Sequence, residues 1–318
     1  MDDPHDHHGD PGSDASGAPR DRHTHAAAEA HPSGRPRTAI IGAGRVGTAL
    51  GVALTRAEWP VVAVASRDEA RRLAFTRLVR TAQAFSEAPA VIDDADLVLL
   101  TVPDDAIAGV AATLRLYGGQ AIVHTSGLLP ASVLEPALGA GALAGGFHPL
   151  VAFADTERAV AALNGATIAL DAEPPLLDVL GEMAEAIGAQ PVRIAGSGKA
   201  AYHAAAMLAA GGFVGLLDAI AEVAQGAGLG EAGALAIYGP LIRQTLDNAA
   251  ALGIDAALTG PVVRGDVQTI HAHLEALHDL APGALPLYRA AAAREVDIAV
   301  ERGVLADEAA ARMRAIIG

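Results

Sequence analysis

Thr38-Ala-Ile-Ile-Gly42-Ala-Gly44-Arg45-Val46-Gly47-Thr-Ala-Leu-Gly-Val-Ala-Leu-Thr55, followed shortly by Val61-Val-Ala-Val-Ala65, decides the fold. A short apolar run, a G-x-G-x-x-G turn, a helical stretch and a second apolar run make one strand–helix–strand unit. The chain has 35 glycines, so a chance match to the bare pattern is expected about 0.4 times. Context therefore decides. Two relaxed matches lack it: Gly139-Ala-Gly-Ala-Leu-Ala144 precedes a strand rather than following one, and no strand completes a unit after Gly196-Ser-Gly-Lys-Ala-Ala201. In the first motif Gly42 permits the tight turn. Gly44 lets the backbone approach a pyrophosphate, and Gly47 lets helix and strand pack closely. Free amides at the helix start, Arg45 and Val46 among them, are the phosphate donors.

Outward from this unit, short apolar runs alternate with helical stretches. The runs are Thr38–Ile41, Val61–Ala65, Leu97–Val102, Ala121–His124, Ala142–Phe147 and Thr167–Leu170. Continuous Val/Ile/Leu/Ala runs fit parallel strands buried on both faces. The alternation predicts an α/β Rossmann fold, a doubly wound sheet. After Pro191-Val-Arg-Ile194 the strands stop, and residues 196–318 read as an all-helical C-terminal domain. Its first helix, Lys199–Ala227, is apolar except at His203, Asp218, Glu222 and Gln225, so it is expected to be buried in a core or between subunits. Residues 37–195 form the dinucleotide-binding domain in this reading. Residues 1–36, rich in Asp, His, Pro, Gly and Ala without apolar periodicity, are an expected disordered tail. Six of the 12 histidines lie in that tail; a solvated segment is the simpler reading and a metal-binding one the alternative.

Composition narrows the function classes. Cysteine is absent, which removes disulfides, thiolate metal sites and a Cys nucleophile. The formal net charge is −15 and aromatic residues make up 3%, the opposite of a basic, base-stacking nucleic-acid surface. The apolar stretch Ala204–Leu217 is 14 residues long, short of the roughly 20 needed to span a bilayer, and the acidic start is unlike a signal peptide. A soluble, cytoplasmic protein without a membrane or nucleic-acid partner is expected. No Gly-x-Ser-x-Gly elbow, His-Glu-x-x-His pair or P-loop occurs, which argues against metal-assisted hydrolysis and phosphoryl transfer.

The end of the second strand selects the cofactor. NAD enzymes usually carry an acidic residue there, whereas this chain reads Ser66-Arg67-Asp68. The Arg67 fork suits a ribose 2′-phosphate, and Asp68 reads as a helix cap, so NADP is expected over NAD. Substrates bind outside the carboxyl ends of the strands. Val102-Pro103 is expected to run past the nicotinamide ribose, with Asp104 capping the next helix. His124-Thr-Ser126-Gly127 and Phe147-His148-Pro-Leu150 are the other post-strand segments, and either His could be only structural. Lys199 opens a buried helix against its dipole, and desolvation lowers its pKa, so it is the candidate proton donor; a snorkelling lysine is the structural alternative.

These motifs occur together in a recognisable order. Gly42–Gly47, His124–Gly127, Gly146-Phe-His-Pro-Leu150, Lys199-Ala-Ala-Tyr-His203 and Thr259-Gly-Pro-Val-Val-Arg-Gly-Asp266 with His273-Leu274 resemble a family of predicted oxidoreductases. That family joins a Rossmann-like domain to a C-terminal domain of unknown function, and the match spans about Arg37 to Gly318. The wider group includes pyrroline-5-carboxylate reductases, 3-hydroxyacid dehydrogenases and ketopantoate reductases, whose helical domains are 6-phosphogluconate dehydrogenase C-terminal-like. The resemblance implies that Ser126 and Gly127 contact substrate, with Lys199 as acid/base, aided by Ser126 and His148. It implies that His203 and Arg264 also bind substrate, Arg264 through a carboxylate, and that the chain forms a homodimer. One departure stands out: the family's long helix usually carries an Asn about three turns after the Tyr-His pair, where this chain reads Gly211-Gly212. The expected activity is NADPH-dependent reduction of a small 2-oxo acid of the ketopantoate type. Cyclic-imine reduction of the pyrroline-5-carboxylate type and a non-catalytic NADP-binding regulator are the alternatives.

Overall fold

A computed structural model describes residues 34–318. Eight strands form one sheet: β1 (Thr38–Ile41), β2 (Val61–Ala65), β3 (Gln83–Phe85), β4 (Leu97–Leu100), β5 (Ala121–His124), β6 (Leu143–Pro149), β7 (Thr167–Asp171) and β8 (Gln190–Arg193), in the order β3-β2-β1-β4-β5-β6-β7-β8. Helices α1 (Arg45–Arg56), α2 (Glu69–Leu78), α3 (Asp104–Thr113), α4 (Thr156–Leu163) and α5 (Leu176–Ala186) accompany it. The central strands β1, β4 and β5 are buried along their whole length. Alternate residues feed two cores: Ile40, Leu97, Leu99 and Val123 face one layer, and Ile41, Val98, Leu100 and Ile122 face the other. This two-sided burial is why these strands read as continuous apolar runs. Strand order reverses between β1 and β4, opening a crevice at their carboxyl ends.

Three sequence expectations are corrected. β3 was not foreseen, because it has three residues and two of them are exposed. β7 and β8 do not continue the parallel winding: β6 pairs with β7 antiparallel, Gly146 opposite Asp171 and His148 opposite Ala169. The apolar run Thr167–Leu170 gives no direction, so its reversal is set by how the α4 connection packs. The expected tail also ends too late. Arg35 lies 5.1 Å over the Trp59 ring and donates to the Ala57 carbonyl, and Pro36 accepts from the Thr38 hydroxyl. The six tail histidines lie outside the described residues.

The sheet ends at Arg193, near the boundary read at residue 195, and helices follow: α6 (Lys199–Met207), α7 (Phe213–Gly226), α8 (Glu231–Leu252), α9 (Ile254–Ala257), α10 (Val267–Leu280), α11 (Leu285–Glu301) and α12 (Asp307–Ile317). A π-turn over Leu208–Gly212 joins α6 to α7 without breaking the run, at the Gly211-Gly212 departure. The α10–α12 helices enclose their own core of Ile270, Val296, Ala299 and Met313. The α6–α8 face is different. Met207, Leu208, Val214, Leu235, Leu241 and Leu246 are all more than half exposed. Gly196–Gly226 is, by length and composition alone, apolar enough to cross a membrane, with none of the tested window buried within this chain. The sequence reading stopped that run at Asp218 and so called it too short.

Candidate active site at the carboxyl edge of the sheet

The glycine loop sits at the end of β1. Gly42 has φ +113°, a conformation that disfavours any side chain. A Cβ on Gly47 would lie 2.1 Å from the Gly42 carbonyl oxygen, so α1 can seat here only with glycine. The Thr101 hydroxyl, from the end of β4, donates to that same carbonyl at 2.7 Å and pins the turn. No side chain caps α1, and nothing lies within 4 Å of where a Gly44 side chain would point. The loop thus presents uncapped helix amides beside open space, a cradle that fits a pyrophosphate. At the end of β2, Asp68 caps α2 by accepting from the Arg71 amide at 3.1 Å, as read from sequence. Arg71 pairs with Asp68 and Arg72 folds back onto the Ser66 carbonyl. Arg67 is exposed, and its guanidinium has no hydrogen bond or ion pair among the described residues. Val102 and Pro103 follow β4, with Pro103 at the N-cap of α3.

Asp104 is not the expected cap. It is the first residue of α3, and its Oδ2 accepts from the Ser126 hydroxyl at 2.6 Å. Ser126 Oγ in turn accepts from the Leu128 and Leu129 amides at 3.1 and 3.0 Å. With its proton on Asp104 and its lone pairs on two amides, this hydroxyl shapes the loop and has little left for a substrate. His124 is fully buried in β5. Its Nδ1 accepts from the Ser126 amide at 3.2 Å, which puts the proton on Nε2, 3.2 Å from the Pro130 carbonyl. Burial, reinforced by the Lys199 charge, pushes its pKa down to about 4. His124 is therefore a neutral staple for the loop after β5.

Lys199 lies in the same network. It is 4% exposed, and its Nζ is 3.7 Å from Asp171 Oδ2. That carboxylate also accepts from the Ala131 amide at 3.0 Å. The ammonium sits over Gly146, 3.0 Å from where a Cβ would be. Burial lowers the Lys199 pKa and the Asp171 charge opposes the shift. Asp171 was missed in the sequence; its only signal was a carboxylate directly after an apolar strand.

β6 runs past the end of β5 and carries His148 over the crevice. His148 Nδ1 is 3.0 Å from the Tyr202 hydroxyl, the rings meeting edge-to-face at 5.6 Å. Burial, then the His203 and Lys199 charges, hold His148 down to about 4, while burial pushes Tyr202 up to about 12. His203 packs edge-to-face on His148, and its buried Nδ1 has no hydrogen-bond partner. Both rings press on Gly127: a Cβ there would lie 2.4 Å from His203 Nδ1 and 2.8 Å from His148 Nε2. Ser126, Gly127, His148, Lys199 and His203 are thus brought together, with Asp104, Asp171 and Tyr202 added. Arg264 is not. It is exposed in the turn before α10, its charge acting on Asp266, and it is absent from the charges acting on His148.

A Rossmann-type sheet with a helical extension and a polar cluster at the carboxyl edge defines the class. Residues 24–149 match the Rossmann-like domain family and residues 166–295 match the family described as domain of unknown function DUF2520. The second match begins before β7, earlier than the boundary read at residue 195, although β7 and β8 complete the sheet. No curated protein matches the sequence. A protein of Bacteroides fragilis named as an NADP oxidoreductase has a similar structure, at 24% identity and TM-score 0.69, covering 83% of this chain and 98% of that one. A Thermotoga maritima protein gives 24% identity and TM-score 0.64, covering 83% and 99%. The 1-pyrroline-5-carboxylate reductase of Streptococcus pyogenes gives 17% and 0.60, covering 83% and 98%.

Proposed function

We propose that this chain is an NADPH-dependent oxidoreductase that reduces a small carbonyl or imine substrate. The observation that carries the reading is the glycine cradle beside an uncommitted Arg67, facing a cluster of titratable groups across the same sheet edge. The names of the Bacteroides and Streptococcus structures support it. Gly42, Gly44 and Gly47 would admit the pyrophosphate to the amides of Arg45 and Val46. Ser66 and Arg67 would take the 2′-phosphate, and Val102-Pro103 would border the nicotinamide ribose. When bound, the reduced nicotinamide supplies hydride. Gly127, His148 and His203 would hold the reacting group, while Ser126 shapes their loop. Lys199, held by Asp171, is placed to fix the loop and lend positive potential, in place of the proton-donor role expected for it.

A 2-oxo acid of the ketopantoate type needs a carboxylate anchor. Within one chain the Lys199 charge is already paired, and Arg264 does not act on the cluster. That argues against any carboxylate-bearing substrate, ketopantoate and pyrroline-5-carboxylate alike, and favours an imine without a carboxylate, unless a second copy brings its Arg264 to the cluster. Such a copy has a place to dock: several large apolar side chains of the α6–α8 region are more than half exposed, and exposed apolar patches mark interaction sites. A homodimer through this face is the reading that keeps the protein soluble. The test is NADPH oxidation by the full chain against a panel of 2-oxo acids and cyclic imines. Oxidation with an imine supports this reading, and oxidation with an oxo acid restores the Arg264 anchor. NADPH binding without oxidation by any panel member identifies a cofactor-binding regulator instead.

A further inference from the structure

We propose that the proton delivered in this reaction comes from Tyr202 by way of His148. The inference rests on the reductase reading above. Tyr202 Oη and His148 Nδ1 are 3.0 Å apart, and no other acceptor competes for the phenolic proton among the described residues. The phenol therefore donates to Nδ1, which leaves the imidazole proton on Nε2. The Nε2 edge faces Gly127, and no hydrogen-bond partner meets it among the described residues. The unpartnered Nδ1 of His203 reaches the same place. Two ring nitrogens, the Nε2–H of His148 and the unpartnered Nδ1 of His203, thus converge beside a glycine. A buried nitrogen without a partner is rare in folded proteins, and a polar group of the substrate would satisfy it.

The step balances. A reduced nicotinamide supplies two electrons and hydride to the substrate carbon, leaving the negative charge on its oxygen or nitrogen. The Nε2–H bond of His148 breaks as the new O–H or N–H bond forms. Nδ1 takes the phenolic proton in the same movement; that proton then returns to the Tyr202 phenolate as Nε2 takes one from water, which restores the starting tautomer. Burial keeps both partners uncharged beforehand, so neither is lost to the wrong protonation state near neutrality. Lys199 cannot make this delivery while its ammonium points at Asp171 over Gly146. Its charge acts on His148 and His124, and its pairing with Asp171 makes it a positioning residue.

Two measurements test this. The first uses ¹⁵N-histidine-labelled full chain without cofactor: His148 should show the neutral Nε2–H tautomer at pH 7, and Tyr202→Phe should mix in the Nδ1–H form. The second uses the panel substrate that wild type reduces best. Tyr202→Phe should lower kcat about 100-fold, the usual contribution of a positioned proton donor. Its KM and NADPH affinity should stay near wild type, and its melting temperature shows that it folds. An Nδ1–H tautomer in wild type, or wild-type kcat in Tyr202→Phe, overturns the relay while leaving the reductase reading intact. If wild type itself oxidises NADPH with no panel member, the reductase reading falls and takes the relay with it.

Discussion

Gly127→Ala asks the most of the site for the smallest change. The new methyl would sit 2.4 Å from His203 Nδ1 and 2.8 Å from two atoms of the His148 ring. Carbon and nitrogen settle at about 3.5 Å, so the His203 ring must retreat by about 1 Å and the His148 ring by somewhat less. Neither moves freely, because His148 is fixed in β6 and bonded to Tyr202, and His203 is on the first turns of α6. Overpacking of this size costs about 1–3 kcal/mol. Displacing a reacting group by about 1 Å can cost about 100-fold in rate. The expected result is a melting temperature lower by a few degrees, kcat reduced about 100-fold and NADPH affinity unchanged, because the glycine loop is untouched. Gly109→Ala is the control: it lies inside α3 with nothing within 4 Å of its would-be Cβ, so it should gain up to about 1 kcal/mol. Wild-type stability and kcat in Gly127→Ala would show that the two rings do not meet there, and the site geometry would be wrong.

Three further outcomes are expected. Arg67→Ala should weaken NADPH binding by roughly 10–100-fold, from loss of a charged partner worth about 1.5–3 kcal/mol. Titration calorimetry should show NADH binding nearly unchanged, and equal losses for both cofactors would remove the 2′-phosphate role. Leu246→Asp places a charge on a side chain 69% exposed on α8; light scattering at micromolar concentration should find dimers for wild type and monomers for the variant, and a wild-type monomer would contradict the dimer reading. His124 and His148 are each held down to about 4, mainly by burial, against about 6.5 in an unfolded chain. A lowered pKa means the folded state binds fewer protons than the unfolded one across that interval. Stability should therefore be complete above about pH 6.5 and fall as pH drops toward 4, by at most about 3 kcal/mol for His124 and less for the more exposed His148. Urea midpoints should show a shallower fall for His124→Asn, and parallel curves would refute the assignment.

The first strand–helix–strand unit was legible because its chemistry is local. The glycines, the apolar runs and the Asp68 cap all act within a few residues of one another, and each was placed where the structure has it. The order of sheet then helices was legible for a similar reason, since a change from two-sided strands to helices alters composition directly. What escaped depends on residues far apart in the chain. Asp104 reads as a helix cap until Ser126 is seen to sit against it, 22 positions later. Lys199 reads as a free ammonium until the reversal of β7 lays Asp171 opposite Gly146 and gives it a partner. Tyr202 was only part of a motif until β6, extending beyond β5, carried His148 to its hydroxyl. The sequence alone determined the glycine turn and the residue types at each strand end. Only the tertiary structure decided which of them touch, because hydrogen bonds and desolvation depend on distances of a few ångströms that strand order and direction set, and an apolar run carries no record of either.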